Sequence, residues 1–374
     1  MTSTTEITEP ASVGSSAPTT RGPLATLAFL TPGNYDDAYP EVGLEETLRL
    51  FEAGEGFGFD GAWVRQRHLE HGVSSAAVFL AAASQRTSRI QLGTGVIPIG
   101  YESPFRLAED LSTADVLSGG RLQVGLSAGR PPHVELIGAR VFDGDWTEQD
   151  FSHGRIERLL ENLDGGFLGD ETTVIHSPGN IQRPRLQPHS PGLRDRIWYG
   201  AGSRHSAEWA ARRGLGLLTG NIVSGETTDD FATAQLAVLD RYRESYRGEG
   251  APRVALGRVI VPTDGADRRT RSRYEEYRAS RIERTVQPHG ERRTLFARDL
   301  VGSAEEILEQ LAADPVVARI TDLRLELPYE FSGDDYLQIL EDVATRIAPE
   351  LGWVPAGSRA KTATSVPDGG PRPW

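Results

Sequence analysis

The feature that most constrains the fold is a repeated switch between short apolar runs and longer amphipathic stretches. Eight of the short runs have the length and composition of buried strands. They cover residues 24–30, 58–64, 90–97, 121–127, 197–202, 215–220, 254–261 and 323–327. Such alternation favours parallel strands joined by crossover helices, and eight units of this kind can close into a (β/α)8 TIM barrel. An open doubly wound sheet is the alternative, because alternation alone does not determine closure.

Nine longer stretches have the periodic apolar pattern of amphipathic helices. They cover residues 44–57, 74–86, 104–117, 156–163, 203–213, 228–246, 268–283, 303–312 and 335–347. The remainder of 131–196 and the segment 284–300 have less regular patterns. We expect long connections and insertions there.

The two ends of the chain differ in composition from its middle. Residues 1–22 are rich in Thr, Ser, Pro and Glu, and residues 356–374 in Lys, Thr, Gly and Pro. Segments of this kind bury too little apolar surface to offset the entropy lost on ordering. We therefore expect a disordered N-terminal tail over 1–22, a flexible C-terminal tail over 356–374 and one barrel domain over 23–355. A single barrel typically needs about 250 residues.

Charge and cysteine content exclude several classes of protein. The chain has 40 basic and 53 acidic side chains, for a net charge of −13. This balance disfavours binding to nucleic acid or to an anionic membrane surface, since both require a basic face. The complete absence of cysteine excludes disulfides, thiolate catalysis and Cys-ligated metals. No apolar run approaches a membrane span of about 20 residues, and no secretory signal is visible, so we expect a cytoplasmic protein.

The fifth predicted strand is followed by small and hydroxyl residues at the start of a helix. Gly202, Ser203, Arg204 and Ser206 stand at this point. Free N–H groups and the helix dipole favour an anion, and the hydroxyls and the arginine add donors, so a phosphate site is predicted. The alternative is that Ser203 only caps the helix. The segment lacks the third glycine of a dinucleotide-binding fingerprint.

The second predicted strand is followed by two histidines with a carboxylate between them. These residues are His68, Glu70 and His71. A histidine at a strand end is suited to proton transfer near neutral pH, so His68 is the candidate catalytic residue. A histidine in a surface loop is the alternative. Since the chain shows no further ligands at a suitable spacing, we expect no metal site.

Small residues also mark the third and fourth predicted strands. Thr94 stands between two glycines within the third strand, and the fourth ends in Ser127, Ala128, Gly129 and Arg130. Glycine inside a strand costs stability unless another group must approach closely. Together with the fifth strand, these positions predict a planar ligand that lies across several strand ends.

Four segments, in this order, resemble the bacterial luciferase-like flavin-dependent monooxygenases. They are GFDGAWVRQRH, IQLGTGVIPIGYESPFRLAEDLSTADVLSGGRLQVGLSAG, IWYGAGSRHSAEWAARRGLGLL and VGSAEEILEQL with LRLELPYE. The likeness spans residues 24–351, with 131–196 the least similar part. It implies a luciferase-like barrel that binds FMN, or coenzyme F420, with the ring at the strand ends.

The resemblance also implies roles for the candidate residues. Ser203 and Ser206 would hold the FMN phosphate, and His68 falls where luciferases carry a catalytic histidine. Thr94, Ser127 and Gly129 would lie near the flavin ring or its ribityl chain. Luciferases place a phosphate-binding arginine where this chain has Ala128, so Arg130 or Arg204 is expected to substitute for it.

The function implied by the resemblance is oxygenation of a small organic substrate with reduced FMN and O2. The reaction requires a dry pocket, for which Phe29, Trp63, Ile97 and Tyr199 are candidate lining residues. Because the chain shows no NAD(P)H fingerprint, we expect a separate flavin reductase, and family relatives are commonly homodimers. The alternatives are an F420-dependent oxidoreductase and a flavin-binding barrel without catalysis. A metal-dependent barrel hydrolase is more remote.

Overall fold

The computed structural model describes residues 23–363. The N-terminal tail expected over 1–22 lies outside the described residues, as does 364–374, the larger part of the expected C-terminal tail. Residues 356–363 are described and form a helix, in a segment where the composition predicts no regular structure. Arg359 in this helix donates a hydrogen bond of 3.0 Å to Asp60, which attaches the helix to the residue just before the strand Gly61–Val64.

Eight parallel strands close into a barrel, which is one of the two arrangements that the alternating pattern allows. The strands are β1 (Thr26–Thr31), β2 (Gly61–Val64), β3 (Gln91–Pro98), β4 (Leu122–Ser127), β5 (Ile197–Gly200), β6 (Gly216–Thr219), β7 (Val254–Arg258) and β8 (Asp322–Glu326). Each strand pairs with its neighbours in chain order, and β8 pairs with β1 to complete the circle. This closure decides against the open doubly wound sheet.

Helices surround the barrel, and all nine that the sequence predicts are present with ends shifted by a few residues. The helices are α1 (Pro40–Phe57), α2 (Ala76–Ser84), α3 (Pro104–Ser118), α4 (Val134–Val141), α5 (Gly154–Leu163), α6 (Arg204–Arg212), α7 (Phe231–Ser245), α8 (Arg268–Ile282), α9 (Ala304–Ala313), α10 (Gly333–Asp342) and α11 (Ala356–Ala363). A π-helical turn, Val343–Ile347, continues α10. None of the helices within residues 23–363 is both long and apolar enough to cross a membrane.

The structure departs from the sequence predictions mainly in short elements outside the barrel. The strand predicted over 254–261 ends at Arg258, and Ile260–Pro262 pairs instead with Leu300–Gly302. Ile222–Ser224 pairs with Thr294–Phe296, and a hairpin joins Ile175–Ser177 to Asn180–Gln182. Helix α4 was also not predicted. Strands of three residues are too short to show a periodicity, so the sequence could not reveal them.

Alternation along the strands separates an inner from an outer core. Leu30 points into the barrel with Trp63 and Trp198, whereas its neighbour Phe29 points outward. The ring of Phe29 packs edge-on against Phe51 and Phe59, with centroids 5.8 and 5.5 Å away. The prediction that Phe29 lines a substrate pocket is therefore wrong. Ile97 is likewise buried in the outer core.

Candidate active site

Most candidate residues lie at or just after the carboxyl ends of β2, β4 and β5. Thr94 lies within β3, which is the strand between β2 and β4 in the barrel. The loop after β3 contacts the loop after β4, since a Cβ added at Gly100 would lie 3.2 Å from the carbonyl oxygen of Gly129. In barrel enzymes the active site is formed by the loops at this carboxyl end of the strands. The chain therefore brings its candidate residues to the end of the barrel where chemistry is expected.

Helix α6 begins at this end with the two predicted serines. Ser203 has an extended backbone and caps the helix, and its Oγ accepts a hydrogen bond of 3.3 Å from the backbone nitrogen of Ser206. Gly202 lies against a neighbouring strand, where an added Cβ would come within 3.1 Å of the Ile222 carbonyl oxygen. The capping role proposed as the alternative for Ser203 is thus present. It does not exclude anion binding. The amide of Arg204 donates to the Glu226 carboxylate at 3.4 Å, so the helix start already holds an anionic group, which a phosphate would have to displace.

Tyr199 and His153 bring further polar groups to the start of α6. The Tyr199 hydroxyl lies 2.9 Å from Nε2 of His153, whose ring stacks on Trp209 with centroids 4.1 Å apart. Burial raises the pKa of Tyr199, while hydrogen bonding with the Ala128 backbone and the Ser206 side chain acts in the opposite direction. Side chains from β5, from the residue before α5 and from the start of α6 therefore lie close together. We call Tyr199, His153, Ser203 and Ser206 the α6 donor cluster.

The sequence did not reveal His153 as a site residue. It stands in the loop before α5, within the irregular segment 131–196, and no motif marks it. A second histidine, His205, lies nearby, with ring centroids 6.2 Å apart. Burial lowers the pKa of His153, and the proximity of His205 lowers it further. A bound dianion would have the opposite effect, because a nearby negative charge favours the protonated imidazole.

The pKa of His153 leads to a prediction for stability. Its pKa in the folded chain is below that of a free histidine, so the unfolded chain binds the proton more readily. We expect the free energy of unfolding to fall as the pH drops below about 6.5, the pKa of an unperturbed histidine. His153→Gln should reduce this loss, and inorganic phosphate should reduce it in the wild type. Melting temperatures between pH 8 and 5 test this; identical pH profiles for the two proteins would contradict it.

The two arginines expected to replace the missing phosphate ligand both have carboxylate partners. Arg130 pairs with Glu135 at 2.5 Å, and Arg204 pairs with Glu226 at 2.8 Å. The side chains of Arg130 and Arg204 are 54% and 41% exposed, and ion pairs this close to solvent are weak. Either arginine can exchange its partner for a phosphate at little cost. Arg204 is the nearer candidate, since it occupies the first position of α6.

Thr94, within β3, and the residues at the end of β4 have different environments. The Thr94 hydroxyl accepts from the backbone nitrogen of Gly125 and donates to its carbonyl oxygen, at 2.9 and 2.8 Å. This side chain is fully buried, so it joins β3 to β4 rather than presenting a group at the surface. Ser127 ends β4 and is half-buried. Gly129 has φ +110°, which side-chain-bearing residues rarely adopt, and no atom lies within 4 Å of an added Cβ.

His68 lies in a separate polar cluster, in the loop after β2. Its Nε2 lies 3.3 Å from Nε2 of Gln66, which donates to Glu102 at 2.8 Å. Its ring packs edge-on against Tyr101, with centroids 4.8 Å apart. Burial lowers the pKa of His68, partly offset by the charge of Glu102. The histidine is therefore mainly neutral at pH 7 and can accept a proton there.

An ion pair inside the barrel was also missed from the sequence. Arg65, just after β2, donates to Glu326 in β8 at 2.9 Å. The Glu326 carboxylate fills the space beside Gly220 and Gly257, where an added Cβ would come within 2.3 and 2.0 Å of its Oε1. The sequence did contain an indication of buried charge here. Arg324 and Glu326 stand two residues apart in a short apolar strand, so both must lie on its inward face.

The structure also shows where the other predicted pocket residues lie. Trp63 faces the interior near the strand starts, away from the loops, whereas Tyr199 joins the α6 donor cluster.

Within residues 23–363, no group of three or more histidine or carboxylate side chains is placed to hold a metal ion.

Comparison with protein families gives a decisive match. The model of the family described as luciferase-like monooxygenase matches residues 25–320. The chain belongs to the luciferase-like monooxygenase family. This confirms the resemblance seen in the four sequence segments. The matched residues include strands β1 to β7 and every site residue predicted from the sequence.

The curated relatives match this chain over part of its length. The limonene 1,2-monooxygenase of Rhodococcus erythropolis is 37% identical over 187 residues, which is 47% of this chain and 48% of that protein. The chain spans about half the length, or less, of the first curated relatives that it matches.

Solved structures with the same fold include proteins that use different cofactors. The oxygenating constituent of the Pseudomonas putida 3,6-diketocamphane monooxygenase, in complex with FMN, has a TM-score of 0.65 at 15% identity, covering 88% of this chain and 99% of that one. The coenzyme F420-dependent tetrahydromethanopterin reductase of Methanopyrus kandleri has a TM-score of 0.58 at 16% identity, covering 88% of this chain and 100% of that one. At these identities the likeness establishes the fold alone.

Proposed function

We propose that this chain is a monooxygenase that uses reduced FMN and O2 to oxygenate a small organic substrate. The observation that carries the proposal is the α6 donor cluster at the carboxyl end of a luciferase-like barrel. The backbone amides at the start of α6, the hydroxyls of Ser203, Ser206 and Tyr199, and the imidazole of His153 converge there. This set of donors suits the phosphate of FMN.

The residues present fit a flavin nucleotide in two respects. A phosphate at the start of α6 would be bound by donors from three segments of the chain, of which the hydroxyls can rotate toward it. From there we propose that the planar ring extends over Ser127 and Gly129, where no atom lies within 4 Å of a Cβ added at Gly129. Reduced FMN supplies two electrons for the activation of O2; one oxygen atom enters the substrate and the other leaves as water.

In this proposal His68, in the loop after β2, takes and returns a proton during the reaction. Its lowered pKa keeps the ring neutral, so Nε2 or Nδ1 can take a proton from an acidic group and return it. Gln66 and Tyr101 orient the ring. The Arg65–Glu326 pair lies inside the barrel, and it can orient a substrate or a ring edge by hydrogen bonding.

We expect His68→Ala to slow oxygenation about 100-fold while leaving the affinity for FMN within about threefold. Limonene, named for one relative, is the first substrate to try. His71→Ala is the matched control, since that side chain is exposed and lies 3.7 Å from Asp37. Product formed per reduced FMN consumed is the measurement. Equal rates in the wild type and His68→Ala would remove His68 from the mechanism.

A second candidate is an F420-dependent oxidoreductase, favoured by the solved F420-dependent reductase with the same fold. Anaerobic titration separates the two. We expect reduced FMN to bind at one equivalent per chain and to raise the melting temperature, because it binds only the folded state. Reduced F420 should bind more weakly. Tight binding of F420 with no binding of FMN would overturn the proposal in favour of the second candidate.

Two partners complete the proposal. A separate flavin reductase would supply reduced FMN, and a second copy of the chain would form a homodimer. Apolar side chains exposed on α2 and α3, among them Val78 and Val116, are compatible with such an interface.

A further inference from the structure

The hydrogen bonds of Gln66 leave its side-chain amide only one orientation. Its Oε1 accepts a hydrogen bond of 3.1 Å from the backbone nitrogen of Ala76, the first residue of α2. Its Nε2 donates to a carboxylate oxygen of Glu102 at 2.8 Å. If the amide were reversed, two donors would meet at Ala76 and two acceptors at Glu102. The side chain is 3% exposed, so solvent offers no substitute partner.

The second N–H of the Gln66 amide is directed to His68, whose Nε2 lies 3.3 Å from Nε2 of Gln66. An amide nitrogen can only donate, so Nε2 of His68 must be the acceptor. The hydrogen of the neutral imidazole is therefore on Nδ1, since the hydrogen bond made by one ring nitrogen determines the state of the other. Within residues 23–363, no group forms a hydrogen bond with Nδ1.

Protonation of His68 would bring two donors together. In the Nδ1–H tautomer the only lone pair is on Nε2, so the added proton would point at the N–H of Gln66. The amide cannot turn to present its oxygen, because its contacts with Ala76 and Glu102 fix it. Gln66 therefore opposes the imidazolium by hydrogen bonding, in the same direction as burial, which lowers the pKa of this histidine.

The charged side chains around His68 do not have this effect. The charge of Glu102 favours the protonated ring. Arg67 and Glu70, which border the same small cavity as the histidine, have opposite charges and lie 3.7 Å apart. Tyr101 packs edge-on against the ring, and its hydroxyl donates to a backbone carbonyl instead. The amide of the neighbouring glutamine is thus the polar group in contact with the ring that disfavours its cation.

We propose that Gln66 is a positioning residue that fixes His68 as the Nδ1–H tautomer and makes Nε2 the nitrogen that takes and returns the proton. The proton leaves an acidic group of the substrate, binds to the lone pair of Nε2 and is returned when that N–H bond breaks. Nδ1–H meanwhile can donate to an oxygen atom of the substrate. The role in the reaction rests on the proposed function, whereas the tautomer follows from the contacts of Gln66 alone.

Nitrogen NMR of the flavin-free chain tests the tautomer directly. At about pH 8, we expect Nδ1 of His68 to have the chemical shift of a pyrrole-type nitrogen, which carries hydrogen, and Nε2 that of a pyridine-type nitrogen, which does not. The signals of His68 are those missing from the spectrum of His68→Gln. The reverse pattern, or a mixture of the two tautomers, would overturn the proposal without any variant of Gln66.

Gln66→Met keeps the length of the side chain and removes the amide. We expect the Nε2–H tautomer to become populated and the midpoint of the His68 titration to rise by about 0.5–1 pH unit, the effect of losing one hydrogen bond to the neutral ring. Gln85→Met is the matched control, since Gln85 is exposed at the end of α2 and donates to Ser84, and it should leave His68 unchanged. An unchanged tautomer and midpoint in Gln66→Met would contradict the proposal.

Glu102→Gln separates the hydrogen bond from the charge. The new amide has an oxygen that can accept from Gln66, so we expect the Nδ1–H tautomer of His68 to persist. The titration midpoint should fall, because a negative charge that favours the imidazolium is lost. A change to Nε2–H in this variant would show that the charge of Glu102, rather than the amide of Gln66, determines the tautomer.

The pH dependence of oxygenation distinguishes this inference from the proposed function. If Nε2 of His68 takes a proton in the reaction, the rate should fall as the pH drops through the His68 titration, and Gln66→Met should move this fall upward by about 0.5–1 pH unit. A His68 titration that responds to Gln66→Met without any change in the pH profile would overturn proton transfer at Nε2, while the tautomer assignment would stand.

Discussion

Replacing both Ser203 and Ser206 by alanine should weaken FMN binding about 1000-fold and riboflavin binding less than about threefold. The two hydroxyls lie at the start of α6, where they can each donate to a phosphate oxygen. A hydrogen bond to a charged group contributes about 1.5–3 kcal/mol, so losing two of them gives a change of this size. Riboflavin has no phosphate and serves as the matched ligand. Dissociation constants from flavin fluorescence provide the measurement.

Ser303→Ala is the control for this experiment, because Ser203→Ala also removes a helix cap. Ser303 caps α9 in a capping box with Glu306, and α9 does not contribute to the candidate site. The variant should lose about 1 kcal/mol of stability and bind FMN normally. If the double serine variant lost FMN and riboflavin affinity equally, the phosphate would have to bind elsewhere.

Asp115→Ala should lower the free energy of unfolding by about 3–5 kcal/mol, the typical cost of removing one partner from a buried ion pair. Asp115 is fully buried near the end of α3, and its two oxygens accept from Nη1 and Nη2 of Arg196 at 2.7 and 2.9 Å. It also accepts from the backbone nitrogen of Leu122 at 3.1 Å, at the start of β4. The substitution would leave Arg196 without its carboxylate partner and loosen the segment that leads into β5.

Asp110→Ala on the same helix is the matched control. Asp110 is exposed and lies 3.7 Å from Arg106, so its loss should change stability by less than about 0.5 kcal/mol. Urea unfolding followed by circular dichroism measures both variants. Equal stabilities for the two variants would show that the Asp115–Arg196 pair does not hold the segment before β5 in place.

The barrel could be predicted from the sequence because its pattern is long and repeated. Each strand is a short apolar run, and each crossover helix has enough turns to show its periodicity, as α3 does over Pro104–Ser118. Closure could not be predicted, because the pairing of β8 with β1 joins residues about 300 positions apart and no local signal records it. The resemblance to luciferase-like enzymes supplied that information instead.

The candidate site could be predicted in part. Ser203, Ser206 and His68 follow strand ends, and position alone marked them. His153 could not be found, since it reaches the site from a segment without regular pattern and meets Tyr199 only in the folded chain. Thr94, by contrast, was predicted from the sequence as a site residue, but its observed contacts join two strands. Its place between glycines suggested contact with a ligand, whereas its hydroxyl bonds the backbone of Gly125.

The proposed function depends most on binding of the FMN phosphate at the start of α6. A crystal structure of the chain soaked with FMN tests it most directly. We predict phosphate density within hydrogen-bond distance of the Ser203 and Ser206 hydroxyls, with the ring extending toward Gly129. Phosphate density at another site, with the α6 donor cluster filled by a side chain or by solvent, would contradict the account.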